Sequence, residues 1–160
     1  MTMTYQSWSG ANGHVQVTTW EDTMPAAHGA DEPGSGAQPL AGLRILLVED
    51  SWHVAQAYKS LLEMVGLNVA GPVATVAEAE LLVAERMPDI AVVDISLLQG
   101  ETTYHLIDQL LASHVPTVVV SGYEVSPDLP GRVAAVLVKP VRANLLLATI
   151  RRVIAEQRSA

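Results

Sequence analysis

The sequence predicts an α/β protein in which a parallel sheet carries helices on both faces. The first observation is that five short apolar runs, rich in β-branched residues, alternate with segments whose apolar residues recur at three- and four-residue steps. The second observation is that four of these five runs end on a charged residue or a serine. Alternation of this kind forms βαβ units, whose strands are buried on both faces.

The first strand is predicted at Arg44–Val48, directly before Glu49 and Asp50. Ser51 is a favourable N-cap for the helix that follows, and Gly66 is a favourable residue to end it. The predicted apolar face of this helix consists of Val54, Ala57, Tyr58, Leu61, Leu62 and Val65.

The second strand is predicted at residues 67–73, where Gly71 and Pro72 mark its end. Thr75 and Glu78 have the spacing of a capping box. The second helix is therefore predicted to begin at this threonine.

The third strand is predicted at residues 90–93, an apolar run too short for a core helix, and Asp94 follows it.

Pro127 and Pro130 disfavour a regular helix between the last two strands, so any helix there is expected to be short or distorted. The remaining predicted elements are a helix at 103–112, a strand at 115–120, a strand at 133–138 and a final helix at 141–156.

The composition excludes several classes of function. Cysteine is absent, which rules out disulfides, thiolate metal sites and thiol catalysis. The net charge is −8, from 9 basic and 17 acidic residues, so no direct binding to nucleic acid is expected. No apolar run reaches the roughly 18 residues of a membrane span, so no membrane insertion and a cytoplasmic location are expected.

Residues 1–42 differ from the rest of the sequence. They are rich in Gly, Ser, Thr, Ala and Pro and contain four acidic residues and no basic ones. Such a composition predicts a disordered or low-complexity N-terminal extension. Residues 15–20 alternate and could form one strand against a partner edge. The folded domain is predicted at residues 43–158.

Polar groups collect at the carboxyl ends of the predicted strands, which meet at one edge of a parallel sheet. They are Glu49, Asp50, Asp94, Ser121 and Lys139. Three neighbouring carboxylates raise one another's pKa unless a hard cation such as Mg²⁺ (or Mn²⁺) lies between them. Asp94 could then attack a phosphoryl group, whose oxygens the lysine and the serine would stabilise.

The chain from Arg44 to Arg158 resembles the receiver domain of two-component response regulators. The motifs that carry the resemblance are LVED at 47–50, VVDI at 92–95, VVSG at 119–122 and VKP at 138–140. The resemblance implies a flavodoxin-like (CheY-like), doubly wound sheet of five parallel strands in the order 2-1-3-4-5, with helices on both faces.

The resemblance also implies roles for these residues. Asp94 would accept a phosphoryl group from a histidine kinase or a histidine phosphotransfer protein. Asp50 would ligate Mg²⁺ directly, Glu49 would act closely or through water, and the main-chain carbonyl of Ser96 would be a further ligand.

Two further residues take part in the implied switch. Ser121 would swing to bond the phosphoryl group, and Lys139 would pair with it. The peptide bond between Lys139 and Pro140 is expected to be cis, as receivers usually have it.

The sequence departs from the receiver pattern in two places. Many receivers carry an aromatic residue where this chain has Val136, and Tyr123 is the candidate substitute. Tyr123 and Ser96 flank the path of attacking water and are expected to tune the phosphoryl lifetime. The prolines at 127 and 130 place the usual output surface in doubt and suggest a subgroup of single-domain receivers paired with HWE-type kinases.

The final predicted helix ends close to Ala160, so we expect a stand-alone receiver without an output domain. It would work by protein contact, as a phosphorelay intermediate or as a phosphate sink, and would not be an enzyme beyond its own phosphorylation and dephosphorylation. A haloacid-dehalogenase-type phosphatase is an alternative, although Ser96 occupies the position of its second aspartate. A phosphorylation-independent scaffold is another. A nucleotide-binding domain would need a glycine-rich loop where Glu49 and Asp50 lie.

Overall fold

The structure is a computed structural model that describes residues 40–123 and 125–159. Residues 1–39 of the predicted N-terminal extension, with the predicted strand at 15–20, lie outside the described residues. Residues 40–42 of the extension are described, and Leu40 is buried in the core of the domain. The domain boundary at residue 42 stays a prediction.

Five strands and four α-helices alternate along the described chain, and all the strand pairs are parallel. The sheet order is β2-β1-β3-β4-β5, which confirms the predicted architecture. The elements are β1 Arg44–Val48, α1 Trp52–Met64, β2 Asn68–Val73, α2 Val76–Glu85, β3 Ile90–Asp94, α3 Tyr104–Ala112, β4 Thr117–Ser121, β5 Ala135–Val138 and α4 Ala143–Ser159.

Helices cover both faces of the sheet, and each face has its own aliphatic core. Helices α1 and α4 pack on one face, and α2 and α3 pack on the other. All five residues of β3 are buried, as expected for the central strand. The buried residues of α4 are Leu146, Thr149, Ile150, Val153 and Ile154. The final helix therefore buries the face that its sequence predicted.

Helix α1 begins and ends where the sequence predicts, but two details differ. Ser51 is the N-cap, yet its side chain makes no capping bond. The apolar face was wrong at Ala57, which is exposed, whereas Ala55 is buried. The reason is the helical phase, because residue 55 shares a face with Tyr58, three positions later. Gly66 follows the helix with φ +88°, as a C-terminal glycine should.

The predicted capping box at the start of α2 is present. The main-chain N–H of Glu78 donates to Thr75 Oγ1 at 3.2 Å, and Thr75 Oγ1 donates to Glu78 Oε2 at 3.0 Å. The glutamate also accepts the N–H of Ala74 at 3.2 Å. The bond to Thr75 satisfies the N–H of Glu78, which an uncapped helix would leave without a partner, and the glutamate bonds the residue before the cap.

Gly71 and Pro72 lie inside β2, which ends one residue later. Gly71 has φ +108°, and a Cβ atom there would lie 2.6 Å from the carbonyl oxygen of Leu47. The register between β1 and β2 shifts at this point, between Leu46 and Val48. Glycine thus lets the two backbones approach closely just before the first strand reaches its acidic end.

The connection from β4 to β5 contains a short 3-10 turn, Leu129–Gly131, and no α-helix among its described residues. This confirms the expected effect of Pro127 and Pro130. The fourth of the five predicted strand–helix units is therefore incomplete, because the crossover after β4 has only the turn. Leu129 is buried and packs in the α2–α3 core cluster. Among the described residues, no helix has the length and apolar character needed to cross a membrane.

Candidate functional site

Three carboxylates meet at the carboxyl edge of the sheet. Strands β1 and β3 are neighbours, with Val48 paired to Val93. Glu49, which follows β1, therefore lies next to Asp94, the last residue of β3. Both side chains are buried, with residue exposures of 3% and 4%. One possible ligand atom from each of Glu49, Asp50 and Asp94 lies within 4.8 Å of the other two. The predicted acidic cluster is thus assembled by the fold.

Lys139 lies between two of these carboxylates. Its Nζ atom donates to Asp94 Oδ2 at 2.6 Å and to Glu49 at 2.9 Å (Oε2) and 3.2 Å (Oε1). Its main-chain N–H donates to the carbonyl oxygen of Ser121 at 2.8 Å, which fixes the end of β5 beside β4. The peptide bond between Lys139 and Pro140 is cis, as expected.

The electrostatics of the cluster follow from burial and pairing. Burial raises the pKa of Glu49, and its hydrogen bonds from Lys139 and from the N–H of Ser51 only partly oppose that rise. Burial alone would lower the pKa of Lys139, but its bonds to Asp94 and Glu49 together raise it. The lysine therefore stays charged and pairs with two carboxylates, those of Glu49 and Asp94, while Asp50 adds a third negative charge within the same cluster.

The donor set fits a hard divalent cation. All three candidate ligands are carboxylates, and oxygen ligands are those that Mg²⁺ takes in proteins. A cation would also offset the negative charge that Lys139 alone leaves in excess. The main-chain N–H of Ser96 donates to Asp94 Oδ1 at 3.1 Å, which brings this residue next to the cluster. The metal role of its carbonyl stays a prediction.

Four further residues were predicted to take part in the switch or to tune it: Ser121, Tyr123, Val136 and Pro140. Ser121 is buried, and its Oγ donates to the carbonyl of Tyr123 at 2.8 Å and accepts that residue's N–H at 3.2 Å. The side chain of Tyr123 is exposed. Val136 is half-buried against the α2–α3 core cluster, and Pro140 is exposed. Their switching and tuning roles stay predictions.

The sequence reasoning missed three residues that contact the site or its surroundings. Thr103 is fully buried and donates its hydroxyl to the main-chain carbonyl of Asp94 at 2.7 Å. Glu101 accepts the N–H of Val76 at 3.2 Å. Tyr58 is buried in the α1–α4 core, and burial together with the nearby charge of Glu49 raises its pKa. Only the threonine gave a local signal, as a polar residue at a predicted helix start.

No protein-family model and no curated protein sequence matches this chain. Solved structures do match it. The receiver domain of a modulated diguanylate cyclase from Desulfovibrio desulfuricans G20 has a TM-score of 0.62 and 26% identity, covering 72% of this chain and 96% of that one. A CheY-like receiver domain from Methylobacillus flagellatus has a TM-score of 0.61 and 25% identity, covering 69% and 98%.

The response regulator PhyR from Brucella abortus has a TM-score of 0.66 and 19% identity, covering 77% of this chain and 51% of its own. This chain therefore spans about half the length of that protein, and the likeness shows the fold alone. The isolated receiver domains are covered almost completely.

The fold and the acidic edge define a class, the flavodoxin-like α/β proteins with a carboxylate cluster at the ends of β1 and β3. Within that class, the described chain is a response regulator receiver domain of the CheY-like type. The receiver prediction made from the four sequence motifs is confirmed.

Proposed function

We propose that this receiver accepts a phosphoryl group on Asp94 in a Mg²⁺-dependent reaction, from a histidine kinase or a histidine phosphotransfer protein in the cytoplasm. The observation that carries the proposal is the setting of this carboxylate. It is buried at a strand end, within 4.8 Å of two other carboxylates, and bonded to the ammonium of Lys139. A carboxylate with a metal site and a cation beside it is suited to attack phosphorus.

Glu49, Asp50 and Asp94, with the main-chain carbonyl of Ser96, would hold Mg²⁺ or Mn²⁺. When bound, the cation supplies positive charge that stabilises the oxygens of the transferred group. The residues of the chain do the rest. The N–H of Ser96 and the ammonium of Lys139 orient the two oxygens of Asp94.

In the transfer step, a carboxylate oxygen of Asp94 attacks the phosphorus of a phosphohistidine. The P–N bond breaks as the new P–O bond forms, and the electron pair returns to the imidazole, which takes up a proton. The product is an acyl phosphate on Asp94. Lys139 would donate to the phosphoryl oxygens, and Ser121 would leave its bond to the carbonyl of Tyr123 to do the same.

The phosphorylated receiver would signal by protein contact or pass the group on as a relay intermediate or sink. The connection with two prolines supports the single-domain subgroup served by HWE-type kinases. Ser96 and Tyr123 are exposed beside the site, in positions suited to influence the approach of water. Val136, in the place of the usual aromatic residue, would leave part of the switch to Tyr123.

The test is incubation with acetyl phosphate and Mg²⁺, followed by intact-mass spectrometry. We expect the wild type to gain one phosphoryl group and to gain none in EDTA. Asp94→Asn should abolish the gain, whereas Asp108→Asn, at an exposed position on α3, should not. A wild type that stays unmodified, or a phosphorylated Asp94→Asn variant, would overturn the proposal and favour a phosphorylation-independent scaffold.

A further inference from the structure

Thr103 has a buried hydroxyl that bonds the backbone of the acceptor strand. The residue has no solvent exposure, and its Oγ1 donates to the carbonyl of Asp94 at 2.7 Å, with a longer contact of 3.4 Å to the carbonyl of Ile95. Thr103 is the N-cap of α3, yet its side chain makes no capping bond to that helix. A hydroxyl that usually caps its own helix is here turned to the strand.

The same threonine closes a small hairpin that begins directly after Asp94. Its N–H donates to the carbonyl of Ile95 at 3.1 Å, and Ser96 and Thr102 form an antiparallel bridge. The first part of this hairpin touches the acceptor carboxylate, because the N–H of Ser96 donates to Asp94 Oδ1. Its last residue touches the carbonyl of the same aspartate. Both the side chain and the main chain of the acceptor are thus held by one nine-residue segment, 95–103.

The position of Thr103 is itself fixed by the core. It precedes α3, whose residues Leu106, Ile107 and Leu110 are buried against the sheet. A hydroxyl anchored in this way can fix where the backbone of Asp94 lies, and the backbone sets where the carboxylate points. Small displacements at a reacting group have large effects on rate, about 100-fold for roughly 1 Å.

We propose that Thr103 is a positioning residue for Asp94, which holds the acceptor carboxylate and the neighbouring Ser96 in the geometry used for Mg²⁺ binding and phosphoryl transfer. This inference rests on the proposed role of Asp94. It assigns no contact between Thr103 and the reacting atoms, since the threonine acts through the main chain of the acceptor.

The chain offers a matched control in Thr117. This residue is also fully buried and also donates its hydroxyl to a main-chain carbonyl, that of Val115, at 3.1 Å. It is the first residue of β4, at the opposite end of the strands from Asp94, which is the last residue of β3. Replacing either threonine by valine removes one buried hydroxyl and keeps the shape of the side chain.

The experiment compares Thr103→Val, Thr103→Ser and Thr117→Val with the wild type. Three quantities are measured: the rate of phosphorylation by acetyl phosphate, the Kd for Mg²⁺ alone by calorimetry, and the Tm. We expect Thr103→Val to lower the rate by about tenfold or more and to weaken Mg²⁺ binding by about tenfold, as loss of a supporting hydrogen bond does at metal sites. Thr103→Ser keeps the hydroxyl, and Thr117→Val changes a distant one. Both variants should keep the phosphorylation rate and the Kd for Mg²⁺ within about twofold of the wild type.

Equal losses in Thr103→Val and Thr117→Val would show a general effect on the fold and would overturn the inference. A Thr103→Ser variant as slow as Thr103→Val would overturn it as well. If a valine variant fails to fold, the pair Thr103→Ala and Thr117→Ala repeats the comparison. A wild type that takes no phosphoryl group refutes the proposed function separately, and the Mg²⁺ affinities of the two valine variants then decide the positioning inference by themselves.

Discussion

The two halves of the sheet hold their site residues in different ways. The β2-β1-β3 half carries Glu49, Asp50 and Asp94, and the connection that follows β3 bonds both Asp94 and the start of α2. The β4-β5 half carries Ser121 and Lys139, and the connection between its strands contains a single 3-10 turn among the described residues.

The first half is fastened through the hairpin that follows Asp94. Thr103 bonds the backbone of Asp94, and Glu101 reaches α2 to accept the N–H of Val76. On the other side of β1, the backbone at Gly71 lies against the carbonyl of Leu47 without space for a side chain. This half therefore has little freedom to move without breaking buried or close contacts.

The second half has a different set of contacts. Ser121 bonds within its own loop, to Tyr123, whose side chain is 79% exposed. Val138, at the end of the edge strand, is also exposed. Beyond the buried Leu129, an exposed ion pair of 2.6 Å between Arg132 and Asp108 links this connection to α3. Asp94 is thus held by bonds from other segments, including Lys139, whereas the Ser121 hydroxyl bonds within its own loop.

The largest effect is expected at Lys139, which joins the two halves. In metal-free protein at neutral pH, Lys139→Met leaves the buried Glu49 and Asp94 without their shared cation and should lower the free energy of unfolding by about 3 kcal/mol. Urea denaturation in EDTA measures this. Lys59→Met, which removes a 3.9 Å pair on the surface of α1, should cost less than about 0.5 kcal/mol. If Lys139→Met and Lys59→Met lowered the free energy of unfolding equally, Lys139 would not be holding the two halves of the sheet together.

The stabilisation of the fold by Lys139 should depend on pH, and the pKa of the lysine gives the direction. The pKa of Lys139 is raised above its ordinary value of 10.5 in the folded protein, by its bonds to Asp94 and Glu49 against the effect of burial. Its stabilising contribution is fully present below pH 10.5 and is lost as the pH rises through the folded value. The stability difference between wild type and Lys139→Met should therefore shrink in alkaline solution.

The next largest effect contrasts glycines of the two halves. Gly71→Ala combines an unfavourable φ of +108° with a Cβ only 2.6 Å from a backbone oxygen, and should destabilise the fold by about 2–4 kcal/mol. Gly131→Ala, where nothing lies within 4 Å, should be neutral or stabilising by up to about 1 kcal/mol. Urea denaturation of both variants decides the point. A tolerated Gly71→Ala would show that the first half is less closely packed than its backbone indicates.

The smallest effects are expected at two exposed side chains, Glu101 in the connection after β3 and Tyr123 in the connection after β4. Glu101→Ala removes the acceptor of the Val76 N–H at the start of α2 and should cost about 0.5–1 kcal/mol, whereas Glu101→Gln keeps an acceptor oxygen and should cost less. Tyr123→Ala should change stability by less than about 0.5 kcal/mol, because only main-chain atoms of this residue bond Ser121. If Glu101→Ala and Tyr123→Ala lost similar stability, the two connections would not differ in how firmly their side chains hold them.

Local patterns in the sequence were sufficient for much of the fold and the centre of the site. The strand ahead of Asp94, the capping box at Thr75 and the broken helix near Pro130 each depend on residues close together in the chain. The strand-end rule then placed Glu49 beside Lys139, although 90 positions separate them.

Other contacts have no local signature. The bond from Glu101 to Val76 joins residues 25 positions apart, and no spacing rule links a loop acid to the start of an earlier helix. The direction of the Thr103 hydroxyl depends on where β3 lies beneath it. The helical phase that buries Ala55 instead of Ala57 is set by tertiary packing, since both alanines fit the apolar pattern.

The number of N–H bonds on the Lys139 ammonium limits how many oxygens it can bind at once. An ammonium group has three N–H bonds to give. Three carboxylate oxygens, two of Glu49 and one of Asp94, already lie within hydrogen-bond distance of its Nζ atom. Any further oxygen that approaches this nitrogen must take the place of one of them. Contact with an incoming group is therefore an exchange of partners, in which Asp94 or one of the two oxygens of Glu49 gives up its N–H bond.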